Sequence, residues 1–472
     1  MFSLSSSKSC AFPGKSTICL LTLAAASLLA IGCGSAVDGN TITSNTNGSA
    51  FVIGTDAPMA SVTSFAVQIV SINAINASGG SVALISGEPT VDFARFNGLQ
   101  TLLDMNDVPV GTYTSIQITL GSATLGYLNT VTGQPPTIAS ETANLTTNTI
   151  SVNLASPLIV TVAQPIGLHL DFDLRKSILV DGNGQITGQV KPTFDLSVVG
   201  TGDSGAYIDQ FDAAVVSVNA AAQSFVIQGP HGRNFTVNVT GSTEWDNGES
   251  LSSLTTSSIV RISGILDKLD ATIDADEVAI LTQTGFSADG QVTYVTQTAG
   301  SPASKFQLYV RGVLPTTTGL TLGQIATVDL SGSEKFFIYW MHNPLTQYLF
   351  NSSSLLAGQD VSIGGPATGA ANPQAVTVNR VVLHNWGFNG TVVAGSLNSS
   401  AGTFQMQVNG FAGLLVPQTV TVYTSSITSF RDGFTGFGSV TSSANVRVVG
   451  LLIKDPTSGN SIILARYVDL LN

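Results

Sequence analysis

Val260-Arg-Ile-Ser-Gly264, Val361-Ser-Ile-Gly-Gly365 and Val446-Arg-Val-Val-Gly450 are three versions of one pattern, V-x-[IV]-x-G, in a chain of 472 residues. Aliphatic, mostly β-branched residues recur at every second position, which is the period of a strand. The closing glycines lie 101 and 85 residues apart. That spacing is long for a solenoid unit and suits a small self-contained β domain. A strand pair precedes each pattern: 214–218 with 225–227, 291–295 with 306–310, and 391–394 with 404–408. Another apolar strand follows each, at 278–281, 375–383 and 465–471. Copies one and three share an aromatic turn, Trp245-Asp-Asn-Gly248 and Phe430-Arg-Asp-Gly433. Copy two lacks that turn and carries an insertion. Five or six short strands in about 80 residues suit an OB-like barrel.

Upstream, residues 50–200 carry alternating apolar runs at 64–72, 81–85, 114–120, 149–154, 159–162 and 168–174, separated by Gly and Pro turns. One short helix is expected over 97–104. The expected fold is therefore all-β: an N-terminal β-sandwich-like domain followed by three tandem small OB-like barrels. The expected boundaries are 50–200, 206–284, 285–387 and 388–472, with the second barrel holding the insertion. Three features carry a resemblance: the opening Thr55-Asp-Ala-Pro58, the Pro109-Val-Gly-Thr-Tyr-Thr114 turn and the Asp171-Phe-Asp173 strand. In these the first domain resembles an uncharacterised family found at the N-terminus of bacterial lipoproteins. The resemblance implies a sandwich-like fold and transfers no functional residue. The tandem copies are similar to a second uncharacterised family of short exported β domains.

The leader reads as an export signal. Lys8 and Lys15 precede an apolar run of 14 residues, 18–31, too short for a span of roughly 20 residues. The run ends in Ala30-Ile-Gly-Cys33, which resembles a bacterial lipoprotein box with Ala30 in place of the usual Leu. Residues 1–32 are then a signal peptide, Cys33 is the lipidation site, and 33–49 is a tether rich in Gly, Ser, Thr and Asn. The other cysteines, Cys10 and Cys19, lie within the leader, so the mature chain is left without an internal disulfide. Gly34-Ser35 carries no acidic retention signal, which places the expected anchor in the outer membrane.

The formal net charge is −12, and removing the two leader lysines makes it −14. No basic patch offers a surface for nucleic acid. The four histidines, His169, His231, His342 and His384, are scattered, and no G-x-S-x-G elbow exists, so no catalytic residues are assigned and the protein is not expected to be an enzyme. No cofactor and no metal site is assigned. The best calcium candidate, Asp181-Gly-Asn-Gly-Gln185, reads as a glycine-rich hairpin turn. Asp171 and Asp173 read as solvent-facing partners of Arg175 and Lys176. The aromatic segment Phe336-Phe-Ile-Tyr-Trp-Met341 with Tyr348-Leu-Phe350 reads as a hairpin buried between barrels or, alternatively, as a ligand surface. The expected role is binding or scaffolding by a membrane-anchored envelope protein, with a cell-envelope glycan or protein as partner. The alternatives are a carbohydrate-binding module array and a cell-envelope hydrolase.

Overall fold

The strand Val62–Asn76 alternates half-buried and buried side chains along most of its length, with Phe65, Val67 and Ile69 facing inward. This is the two-residue period of a strand with one covered face. In the computed structural model it pairs antiparallel with Gly111–Asn129 in a six-stranded sheet. A four-stranded sheet packs over it, in the order Phe194–Gly200, Ile166–Asp173, Asn47–Ala57, Thr101–Pro109. Its two central strands run parallel, from Ala50 beside Ile166 to Ala57 beside Asp173. Phe65, Phe93, Phe172 and Phe194 stack between the sheets with ring centroids 4.5–5.1 Å apart. The structure describes residues 47–471 except 58–61, 97–98, 130–134, 163, 183–185, 203–205, 246–248, 268–271, 282–284, 299–300, 315–318, 340–344, 346, 367–374, 409–417 and 432.

No helix spans 97–104 among the described residues. Phe93–Arg95 is a single 3-10 turn, and Thr101–Pro109 is an edge strand. The register with Asn47–Ala57 slips so that Val52 faces Asp104 while Ile53 faces Leu102. This bulge at Leu103 puts Leu102 and Met105 on one face three residues apart, which imitates helical spacing.

Each of the three following modules has one strand order. In the first, Tyr207–Asn219, Ser224–Gln228 and Asn234–Asn238 form a meander. Ile259–Leu266 then pairs with the first strand, and Ile273–Ile280 closes the barrel by running parallel to the third. The third module repeats this with Trp386–Val392, Thr403–Val408, Gln418–Tyr423, Asn445–Lys454 and Ser461–Leu470. Both are closed five-stranded barrels of OB-like order. In the middle module the last strand is broken in two. Ala375–Thr377 pairs parallel with Ile325–Asp329, and Arg380–His384 pairs with Asp360–Gly365.

The pattern that opened the sequence reading has a mechanical cause. A Cβ added at Gly264, Gly365 or Gly450 would lie 2.3, 2.5 or 2.1 Å from a carbonyl oxygen of the last strand, that of Asp274, Thr377 or Leu464. At Gly264 and Gly450 the ladder also shifts register. The glycines therefore let the two strands cross closely where the barrel bends.

Copy two has no aromatic–Asp/Asn–Gly turn, but the short strand that carries the aromatic residue has a counterpart in all three copies. Trp245, Phe336 and Phe430 each run parallel to the last strand, beside Val278, Val381 and Val468. In copy two the insertion that follows hides this equivalence in sequence.

The modules are fused through shared cores. Phe51 and Ile53, on the outer face of the four-stranded sheet, pack with Leu102 and Met105 against the first barrel, while Ala50 and Val52 face the sandwich core. Leu451, Ile453, Ile462 and Leu464 of the third barrel join the core of the second. Leu99 of the sandwich reaches the core of the third. Residues Asn45–Asn472 form one compact unit.

Candidate functional site

Charged residues are only 10% of the chain, yet several of its nine arginines lie inside, where the modules meet. Asp212 and Arg261 are direct cross-strand partners in the first barrel. They form a bidentate pair, Nε to Oδ1 at 2.7 Å and Nη2 to Oδ2 at 2.9 Å. Arg261 Nη2 also donates to Oδ1 of Asp289 in the second barrel at 3.2 Å. Arg95, the last residue of the sandwich's 3-10 turn, closes the ring with 3.5 Å to Asp212 and 3.7 Å to Asp289. Two guanidinium groups and two carboxylates thus form a neutral quartet drawn from three modules. Burial alone would raise the Asp289 carboxyl, but Arg261 and Arg95 hold it down at about 2. Burial likewise opposes the Arg261 charge, and Asp212 and Asp289 more than restore it.

The same rung of the repeat recurs in the other copies. Asp289 faces Ser362, and Asn389 faces Arg447, at the positions of Asp212 and Arg261. Arg447 turns to the sandwich, reaching Asp171 at 3.5 Å. Arg466 joins the third barrel to the first. It lies 3.6 Å from Glu277 and donates to the Tyr207 hydroxyl at 2.6 Å. Burial pushes Glu277 up to about 7 against the pull of Arg466. Arg311 of the second barrel lies 4.3 Å over the ring of Trp386 in the third and 3.6 Å from Asp360. Burial raises Asp360 to about 7, with Arg311 opposing and Asp289 adding to the rise.

Two clefts of about 400 and 380 Å³ flank the quartet and share Arg95, Asp212, Asp289 and Arg311. Separated carboxyl pKa values, as at Asp289 and Asp360, are the pattern of an acid–base couple. The Asp289 oxygens lie 3.2 Å from Arg261 and 3.7 Å from Arg95. Ser362 hydrogen-bonds Nε2 of His384, but Nδ1 of His384 has no hydrogen-bond partner to orient it. Burial also drives that imidazole down to about 3, too weak a base near neutrality. The arrangement joins residues of different modules through ion pairs. Apolar contact supplies most of the attraction, and the ion pairs select one alignment, since any slip would strand a buried charge.

The residues singled out in the sequence lie elsewhere or beside this layer. Cys33 lies outside the described residues, as do Trp340, Met341 and positions 183–185 of the calcium candidate. Among the described residues no group of His, Cys, Asp or Glu has the geometry to hold a metal ion. Asp173 is buried and Asp171 half-buried, rather than solvent-facing. Asp173 caps the short helix Leu174–Ser177 and pairs with Lys176 at 3.0 Å, as expected, but Asp171 pairs with Arg447 of the third barrel and not with Arg175. In the Thr-Asp-Ala-Pro opening, Thr55 donates to the Leu99 carbonyl at 2.8 Å. Asp56 is fully buried, accepts from the Leu174 amide, and is raised well above the usual carboxylate range by burial and by Asp171.

The described residues of the aromatic segment do not pair with one another as a hairpin. Lys335–Ile338 runs parallel to Arg380–His384, and Phe336 packs on Phe350 at 5.4 Å. Tyr339 is buried against Ala279 of the first barrel, and Tyr348 stacks on Tyr423 of the third at 5.6 Å.

The arginines of the junction escaped the sequence reading, although two of them, Arg261 and Arg447, sit inside the repeated V-x-[IV]-x-G pattern. A charged residue at that position of a strand buried on both faces was the available signal. No curated protein matches the chain. Residues 48–192 match a family model, Domain of unknown function (DUF4382), so that the sandwich is a DUF4382 domain.

Proposed function

We propose that the chain is a lipid-anchored, non-catalytic protein of the cell envelope that presents a rigid four-module body for binding or scaffolding. The observation that carries this reading is the ionic junction. A chain with few charges commits its arginines to holding modules together, an investment that serves a fixed shape. The anchor rests on the leader, the Ala30-Ile-Gly-Cys33 box and the absence of another thiol from the mature sequence. A single acyl chain binds membranes only marginally, whereas the two or three chains of a bacterial lipoprotein hold firmly. An envelope glycan or protein is the partner class. A glycan array would need exposed aromatic platforms, and the described aromatics of the 336–350 segment are half-buried or turned inward.

The test is fractionation of cells expressing the full chain and Cys33→Ser. The expected result is a membrane-bound wild type whose N-terminal peptide carries the acyl mass, and a variant that stays uncleaved or becomes soluble. Wild-type protein that is soluble and begins elsewhere than Cys33 would overturn the reading.

A further inference from the structure

Among the large apolar side chains left exposed, three adjoin: Val110 at 46%, Ile159 at 54% and Val162 at 61%. They sit on neighbouring strand ends, because Gly111 faces Val160 and Thr112 faces Ile159. Scattered exposed aliphatics need no explanation, but a cluster on one tip marks a contact surface. This tip is where the chain emerges. Asn47 pairs with Pro109, and Gly48 packs so tightly on Thr161 that an added Cβ would meet its carbonyl oxygen at 2.0 Å. Fourteen residue steps separate Asn47 from Cys33. Fully extended, a chain of that length reaches at most about 50 Å. Among the described residues beside it, Asp107 pairs with Arg233 at 3.5 Å.

We propose that the Val110–Ile159–Val162 tip of the sandwich rests in the headgroup region of the bilayer to which Cys33 is anchored, so that the body stands on the membrane by this end. The proposal rests on the lipid anchor proposed above. The lipid supplies retention and the tip supplies orientation, as paired weak membrane signals do.

The mature chain offers a clean test, because its one cysteine is blocked when acylated. Ile159→Cys, Val162→Cys and Leu349→Cys, each labelled with an environment-sensitive fluorophore, are compared on the lipidated full chain. Leu349 is a control that is 68% exposed on the second barrel. The vesicles are phosphatidylethanolamine and phosphatidylglycerol carrying a shallow doxyl-lipid quencher. The expected result is a blue shift and at least twofold stronger quenching at 159 and 162 than at 349. A chain whose N-terminal peptide shows no acyl group overturns the anchor and the tip with it. An acylated chain in which 159 and 162 are quenched no more than 349 overturns the tip alone.

Discussion

Arg261 lies between Val260 and Ile262 in a strand with no exposed face, and its side chain is 2% exposed. A guanidinium can tolerate that position because its fork satisfies Asp212 through two parallel hydrogen bonds and still reaches Asp289. The balance is unforgiving, since a buried pair gains little over apolar packing but costs much when one partner is lost. Arg261→Ala would leave Asp212 and Asp289 facing each other with Arg95 alone between them. The expected loss is about 3–5 kcal/mol in a denaturation experiment. Arg261→Lys should fall between wild type and Ala, because a lysine keeps the charge and loses the fork. An Ala variant as stable as wild type would show that the quartet holds nothing in place.

In the barrels, each closing strand pair depends on a glycine that permits backbone contact. Gly264→Ala and Gly450→Ala would press a methyl group against a carbonyl oxygen, and main chain cannot yield as a flexible side chain can. Each should lose about 3 kcal/mol or more in thermal or chemical unfolding. Gly241→Ala is the control, since a Cβ there meets nothing within 4 Å. Equal losses at all three positions would refute the close-crossing argument. These glycines were legible as a pattern because strand period and residue size leave marks in sequence. The copies and the all-β class could be read for that reason. The false helix over 97–104 shows the limit. Leu102 and Met105 share a face three residues apart because of a bulge at Leu103, and a bulge depends on the neighbouring strand. The broken last strand of the second barrel, which starts again at Arg380, was read as one run, 375–383, because both pieces are apolar.

Across the whole body, the junction was the part least legible in advance. Pairing of Arg447 with Asp171, or of Arg466 with Glu277, joins residues from different modules, and no local pattern encodes such a distance. Composition gave only the number of charges, not which side of the surface they occupy. Their burial has a consequence for the pH dependence of the assembled protein. Glu277 and Asp360 sit at about 7 in the fold, against 4.5 and 3.8 as reference values, chiefly because burial disfavours their charge. Asp56, Asp171 and Asp209 are raised as well, again mainly by burial. In the window between those reference values and about 7 the folded state therefore holds protons that the unfolded chain has released, and stability falls as pH rises through it. His169 and His384 act in the opposite sense. Burial lowers them to about 4 and about 3, so the unfolded chain gains their protons first as pH drops below 6.5. Five raised carboxyls outnumber two lowered imidazoles, so the net slope follows the acids. Asp289, held at about 2, adds a loss only at the acid limit, as pH falls below its reference value of 3.8. The melting temperature should accordingly be highest near about pH 4 and decline as pH rises toward about 7. Glu277→Gln with Asp360→Asn should flatten that decline, because neither amide has a proton to lose. Melts of both proteins across this range decide the matter. A wild-type melting temperature that climbs from the acidic to the alkaline end would mean that these carboxyls ionise in the fold as readily as in water, and that burial does not govern them.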